Sequence, residues 1–565
     1  MVSFEELEKA RSANFRLKQA QELTILAAAD VACVKSFTGR WKIIKTKLKL
    51  LPVQITELSN SAFFEENILS KELLESLVCS LEEARQLAKL CTDLTYGGKL
   101  RMQSNLDALT MKLSLYLGDC QLMINSEMLK ETAPNFSKTS QGAGKQTLKC
   151  MVKNLLARLQ IGSIDSKLKA LNALIELMNE DDKNVLLVAS QQGASLLVRL
   201  LEASVPVMRE RAAVAVCSLL SNDYCEDHIV MEEALAPLVR LLESGSSLAN
   251  EKSSVSLQCL THTPEHARSI VSQGGIPALL TICRGGTPVA QAAAAGTLRN
   301  LCGFSEAIEI MLEAGAIPTL LHLVNSGTTD AQEHAAAILQ TVSHNSEPIT
   351  RLIASEGGIV PVLRYLATAD VISGQESGIG IVQNLAAFVG NIEALLCAGI
   401  VQQLPGLLTS CSPAVQQATA VIVCDLVITA DTIKAIGEAG CIPPLLKMLD
   451  AKTRTAQEYA MRALASLLPY ENNLKIFLTQ ENGISRILEL LDPLYHLAAR
   501  QSAVWALTTL AGSSSKCRKQ IISAGVYYSL ERLAETDLPS AKKLLERLER
   551  GRLRNLFKRL DLSEW

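Results

Sequence analysis

The sequence predicts an all-α protein: an N-terminal helical bundle, a short linker and an α-solenoid of about nine repeats. Three observations carry this. Hydrophobic residues make up 48% of the 565 residues but aromatics only 4%. The apolar mass is therefore Leu, Ala, Val and Ile, which suits packed helices better than a β-sandwich or barrel. One phrase recurs at a nearly constant interval over about two-thirds of the chain. Between its copies, apolar residues follow helical spacing. The high apolar fraction and a net charge of only −3 exclude a disordered chain. The same balance removes global charge as a reason to expect nucleic acid.

Residues 1–130 lack the recurring phrase. They hold four or more helical segments, roughly 4–35, 38–58, 67–93 and 98–129, which predict an up-and-down bundle. Residues 131–148 (ETAPNFSKTSQGAGKQTL) are polar and carry Pro, Gly and Ser, so they read as a linker. The start of the chain lacks the apolar core and small-residue site of a secretory signal. Val2 stands where N-myristoylation needs Gly. No run of about 18 apolar residues predicts a membrane-spanning helix. The 15 cysteines are scattered singly without a Cys-x-x-Cys pair, as expected for buried free thiols in a reducing compartment. The expected location is cytoplasmic, with nuclear or membrane-peripheral placement as alternatives.

The recurring phrase is Gly-Ala-Ile-Pro-x-Leu-Leu-x-Leu, complete at Gly315–Leu323. Close copies begin at Gly274 and Gly440, and weaker ones at Cys150, Gln192, Glu233, Gly357, Gly399, Asn482 and Gly525. The nine intervals between these anchors are confined to 41–43 residues. Gly can take the left-handed backbone that ends one helix. Pro two or three residues later suits the first turn of the next, and the leucines form one apolar face. A short helix precedes each anchor, as at Pro264–Val271, and a longer apolar helix follows, as at Pro288–Leu301. Each repeat is thus a short helix, a sharp turn, a second helix, a loop and a third helix.

Period, turn chemistry and three-helix plan together resemble the armadillo repeat. The resemblance spans roughly residues 150–535 within a solenoid of 149–539. It implies a right-handed superhelix whose third helices line a concave groove. Stacking is also required physically, since one such repeat cannot bury its own apolar faces. The run from Leu81 to Leu117, with EEARQLAKLC, Gly97-Gly98 and LTMKLSLYL, is similar to the N-terminal helical domain of plant U-box armadillo proteins. The opening Cys-Pro phrase of a U-box is missing, and eighteen linker residues cannot contain that domain. The plan therefore resembles plant armadillo proteins without a U-box, similar to the yeast vacuolar armadillo protein, whose acylated N-terminus Val2 does not permit.

Two basic stretches each allow two readings. Residues 540–565 interleave Lys and Arg with Leu: either a capping helix with a charged outer face, or a segment for calmodulin or an anionic membrane. Arg40–Lys49 (RWKIIKTKLK) is either a solvated bundle face or a lipid contact.

No catalytic motif stands out. His262 and His266 are four apart, but Pro264 between them breaks the helix a metal pair would need. Gly374 and Gly378 in VISGQESGIGIV lack the Lys and preceding strand of a phosphate loop. They are expected to form a loop before a tightly packed third helix. No cofactor, metal or catalytic residue is expected, and the chain is read as non-enzymatic.

The groove can be tested against the resemblance. Armadillo import receptors carry an Asn and a Trp one turn apart on successive third helices. The Asn holds an extended peptide backbone, and the Trp side chains make slots for lysine stems. The Asn position here reads Glu176, Ser218, Cys259, Asn300, Thr341, Asn384, Asp425, Ser466 and Thr509. The Trp position reads Asn172, Val214, Val255, Gly296, Ala337, Gly380, Val421, Arg462 and Trp505. The ladder is absent, which argues against an import receptor, and no basic stripe of the catenin kind replaces it. Asn300, Asn384, Asp425, Arg462 and Trp505 remain as candidate partner-binding residues. The expected function is a protein-binding scaffold or adaptor using the groove. A ubiquitin-pathway accessory without its own U-box and a membrane-surface adaptor are the alternatives. The expected partners are proteins, not nucleic acid or a membrane interior; peripheral membrane contact and oligomeric state stay open.

Overall fold

A computed structural model describes residues 12–60, 64–65, 67–125, 145–161, 163–222, 231–513, 515–535 and 539–560. All regular structure among the described residues is helical. The chain divides into two compact bodies, Met1–Gln273 and Gly274–Trp565.

The first body opens with helices α1 (Ala13–Ala32), α2 (Thr38–Ser59), α3 (Ile68–Asp93) and α4 (Lys99–Asn125). These fall on the four expected segments; residues 4–11 and 126–129 lie outside the described residues. Local chemistry sets the starts. The Ser12 hydroxyl accepts from the Phe15 amide at 3.1 Å, and Asn67 Oδ1 accepts from Leu69 and Ser70. Leu94 turns left-handed at φ 58° and ends α3. The core is a seam of branched aliphatics, with Ile44, Leu48, Leu51 and Ile55 of α2 against Leu106, Leu109 and Leu113 of α4. The charged rim fixes neighbours. Arg16 pairs with Glu75 and Asp30 with Arg85 between α1 and α3, so those helices run parallel. Arg40–Asp107 does the same for α2 and α4.

Residues 131–144 of the expected linker lie outside the described residues. Lys145–Ile161 is already helical, so helix takes over the linker's last four positions. Cys150 sits inside that helix and makes no turn, contrary to its reading as an anchor. Cys-Met-Val-Lys offers neither the Gly nor the Pro that breaks the other copies. Ser163 caps the following helix, Ile164–Glu180, and both its amide and hydroxyl donate to Glu72 of α3, at 3.0 and 3.1 Å. The first repeat is thereby tied to the bundle. Asp119 of α4 is buried. Burial pushes its carboxyl up to about 6, against the opposing pull of Lys167 on the first third helix. Burial lowers the Lys167 pKa in turn.

The turn chemistry expected of the anchors is present. Gly274, Gly315, Gly357, Gly399, Gly440 and Gly525 have φ between 70° and 97°. Gln192 and Asn482 take the same left-handed turn at 62° and 57°, a conformation that costs non-glycine residues more and that Asn tolerates best. Glu233 falls within the helix Met231–Ser244, just after residues outside the described set.

Two polar devices repeat with the helices. In the first, a Gln near the start of the third helix donates to a carbonyl at the end of the second. Gln291 reaches Cys283 O, Gln332 reaches Val324 O, Gln375 reaches Ala369 O and Gln416 reaches Ser410 O, at 2.7–3.1 Å. Gln457 bonds Leu449 O and Ala451 O in the same way. This satisfies carbonyls that a helix end leaves without partners.

In the second device, the residue after that Gln reaches the next repeat. Glu376 accepts from Ser412 Oγ at 2.7 Å, and Glu333 from Ser373 Oγ at 2.8 Å. Gln417 donates to Thr453 Oγ1 at 3.4 Å, and Glu458 accepts from the His496 amide at 3.3 Å. In the first body, Glu210 accepts from Ser246. Ser246 and Ser412 are themselves N-caps of their third helices. Each such hydroxyl accepts from an amide of its own helix and donates to a carboxylate of the repeat before it. The carboxylate also sits at a helix N-terminus, where the dipole favours it.

Gly374 and Gly378 are not a loop. They lie inside the third helix Ile372–Ala386, together with Gly380. Close packing overrides their poor helix propensity. A Cβ on Gly374 would stand 2.6 Å from the Tyr365 hydroxyl, one on Gly378 3.2 Å from Leu366, and one on Gly380 would collide with Gln340.

Two predictions follow from these contacts. Glu376→Ala and Ser412→Ala should each destabilise by about 1 kcal/mol, and the double variant should lose about 1 kcal/mol less than the sum. Urea unfolding checks this; strictly additive losses would show that the two side chains do not act together. Asp119 carries a pKa raised above its usual carboxylate value, so the native state holds its proton more tightly than the unfolded chain. Its burial therefore penalises folding above about pH 6, and the penalty fades as pH falls toward 4. Asp119→Asn should gain melting temperature over the wild type at pH 7.5 and gain less at pH 5.

Candidate partner-binding face

In the second body the third helices lie side by side in chain order: Pro288–Leu301, Thr329–Ser343, Ile372–Ala386, Pro413–Leu426, Arg454–Leu467, Leu497–Ser513 and Pro539–Leu560. All five candidate residues sit on this series. The last helix packs on Leu497–Ser513 as each earlier third helix packs on its predecessor. The basic C-terminal segment thus takes a third helix's place, through residue 560.

The five candidates divide. Asn384 Nδ2 donates to Gln340 O and Ser343 Oγ, both at 2.9 Å, at the end of the preceding third helix. Its amide is spent on stacking, the local role open to a helical Asn. Asn300, half-buried near its helix end, also has a partner within the protein. Asp425, Arg462 and Trp505 come from three successive helices. Burial raises the Asp425 pKa, and the Arg462 charge works against that rise. The Arg462 guanidinium is hydrogen-bonded to Cys424 and lies 5.9 Å from the centroid of the Tyr459 ring. The Cys424 bond is the main reason its pKa is raised.

Arg462 and Trp505 share one open cavity of about 450 Å³. Ala465 and Ser466 line it beside Arg462, Gln501 and Ser502 beside Trp505, and Pro539 and Ser540 close it. Trp505 is 58% exposed. The helix Pro539–Leu560 brings its N-terminal end to the cavity, so a partial positive charge joins the guanidinium beside a flat indole. Such a site suits a partner segment that pairs an apolar side chain with a carboxylate.

Tyr459, Gln501 and Ser502 were not among the sequence candidates. A helical signal marks them: Tyr459 precedes Arg462 by three positions and Ser502 precedes Trp505 by three, so each shares a face with its neighbour. Pro539 and Ser540 had no such signal, because only the packing of the last helix brings them there.

Residues 263–303 match the armadillo/beta-catenin-like repeat, and residues 17–128 match a family described as a domain of unknown function, DUF7032. Among solved structures, one engineered protein aligns at 25% identity with a TM-score of 0.54, covering 71% of this chain and 98% of that one. A second engineered protein aligns at 27% identity with a TM-score of 0.37, covering 41% and 96%. A designed armadillo repeat protein aligns at 20% identity with a TM-score of 0.37, covering 42% and 99%. No curated protein matches the sequence. The armadillo match and the first of these structures support an armadillo-repeat protein with an all-α solenoid and an N-terminal helical region. Armadillo-repeat proteins generally act as protein-binding scaffolds.

Proposed function

We propose that this chain is a non-enzymatic adaptor that seats a protein partner on its third-helix face, anchored at the Trp505–Arg462 cavity. The exposed indole of Trp505 carries the reading. Trp and Arg are both enriched among the residues that dominate binding at protein interfaces. Regular peptide reading along the series has no support, since Asn384 is occupied within the stack. The partner is held at one anchor point, with neighbouring helices contributing complementary shape.

The resemblance to the N-terminal domain of plant U-box armadillo proteins supports placing the chain among plant armadillo proteins that lack a U-box. A cytoplasmic location is supported by the free cysteines among the described residues. Burial pushes Cys120, Cys283, Cys302 and Cys441 up to about 12, which keeps them as inert thiols.

The test is a photo-crosslinker placed at Gln501 in the full chain, used in cells. It should trap a discrete protein. Trp505→Ala with Arg462→Glu should lower recovery of that protein by at least about tenfold. Tyr528→Ala, an exposed aromatic of a second helix that lies under Arg532, should leave it unchanged. Equal recovery from all three proteins would overturn the proposal.

A further inference from the structure

The bundle carries an unusual surface that the solenoid reading does not use. Ile43, Leu50 and Val53 of α2 are exposed, as are Leu100, Met111 and Leu115 of α4, each between 52% and 83%. On α2 the three positions are i, i+7 and i+10, which a helix places within about 80° of one another. They form one outward stripe opposite the buried Ile44, Leu48, Leu51 and Ile55. Lys42 and Lys49 flank this stripe on one side and Lys47 on the other. None of these lysines makes an ion pair among the described residues.

Two side-chain contacts hold the helices in register. Arg40 bonds Asp107 at 2.8 Å, and Gln54 bonds Gln121 at 3.4 Å. Both pairs are 67 residues apart in sequence, so α2 and α4 run parallel in fixed register along most of their length. In that register Met111 and Leu115 of α4 stand level with Ile44 and Leu48, beside Ile43 and Leu50, while Leu100 lies beyond the N-terminal end of α2.

Charge is segregated the same way. Helices α2 and α4 hold eight Lys and Arg against three Asp and Glu, although the whole chain is net −3. Of the three acids, Asp119 is buried, Asp107 is exposed but paired with Arg40, and Glu57 is exposed. Helices α1 and α3 hold five Lys and Arg against seven Asp and Glu.

We propose that the α2–α4 plate is a peripheral membrane-binding surface that seats on anionic lipid. Complementarity of charge and shape selects this occupant. Exposed aliphatic side chains ringed by lysines match the boundary between acyl chains and negative headgroups, with the lysine stems extending to keep their charge among the phosphates. A second copy of the same face would press lysines against lysines.

The full-length protein is mixed with vesicles of phosphatidylcholine alone, or with about a third phosphatidylserine, and floated on a density gradient. Recovery with phosphatidylserine should exceed that with the neutral lipid at least about tenfold and fall at high salt. Lys42→Glu with Lys47→Glu and Lys49→Glu should remove the difference. Leu50→Ser with Met111→Ser and Leu115→Ser should lower recovery comparably. These side chains are at the surface, so circular dichroism and melting temperature should match the wild type. Lys18→Glu with Lys89→Glu, on α1 and α3, should float as the wild type does. Recovery independent of anionic lipid would overturn the proposal. So would flotation that survives the α2 lysine changes, which would assign binding to another segment such as the basic C-terminal helix. Loss of a self-associated species on sedimentation, without lipid binding, would replace the membrane with a second copy.

Discussion

An armadillo-type repeat presents apolar faces that its own three helices cannot cover, so each repeat is stable only against a neighbour. Hydrophobic burial drives that stacking but is indifferent to small slips, since one leucine serves nearly as well as the next. The capping hydroxyls remove the indifference. Ser412 must bond its own third amide and Glu376 of the preceding repeat together. A slip of one helical position between repeats would break the bond to Glu376, while the cap, which lies within one helix, fixes where the hydroxyl stands. The adjacent glutamine acts on a different helix start: Gln375 bonds Ala369 O ahead of its own third helix, while Glu376 reaches Ser412 ahead of the next. The inner bond sets the angle between second and third helices, and the outer bond sets the distance to the next repeat. Where Ala292 replaces the glutamate, Gln291 still holds its repeat together.

Helix positions were legible because their signals are local. Gly at Gly274, Gly315, Gly357, Gly399, Gly440 and Gly525 announces a left-handed turn wherever it is followed by an apolar helix. Gln192 and Asn482 were readable only through the period, and the structure gives both the same turn. Period alone failed at Cys150, where no residue favours the break and helix formation continues. The glycines of Ile372–Ala386 misled for the opposite reason. Their low helix propensity is a local property, while Tyr365, Leu366 and Gln340 crowd the space a side chain would need. The Gln-Glu pairs at 332–333, 375–376 and 457–458 were visible in the sequence at the repeat interval. Their meaning was not, because a glutamine beside a glutamate on a helix also reads as a solvated face.

The candidate site shows the same division. Trp505 could be singled out as a lone aromatic at a groove position, and Arg462 as a lone cation one repeat earlier. Their meeting in one cavity depends on adjacent third helices packing in register, which the period implies. The wall supplied by Pro539 and Ser540 depends on the final helix packing as one more third helix. Asn384 carried the residue type expected of a peptide-reading site, yet its amide closes the end of the helix before it. Residue type at an aligned position therefore identified the face, and hydrogen-bond accounting decided which members of that face were still available.

The low aromatic content has a structural cause and a functional result. Third helices that lie close enough for Gly380 to press on Gln340 leave little room for rings between them. Leu, Ala and Val fill such narrow layers well. An aromatic residue on this series is therefore left to the surface, where its cost is exposure and its benefit is contact area for another molecule. Trp505 meets that condition, and Tyr459 meets it in part beneath Arg462. On the bundle, the exposed side chains of the α2–α4 plate are aliphatic and flanked by lysines. A rigid aromatic with one charged neighbour can select a particular side chain, whereas dispersed aliphatics among many charges suit an extended, uniform phase. The two surfaces thus differ in the kind of specificity they can supply.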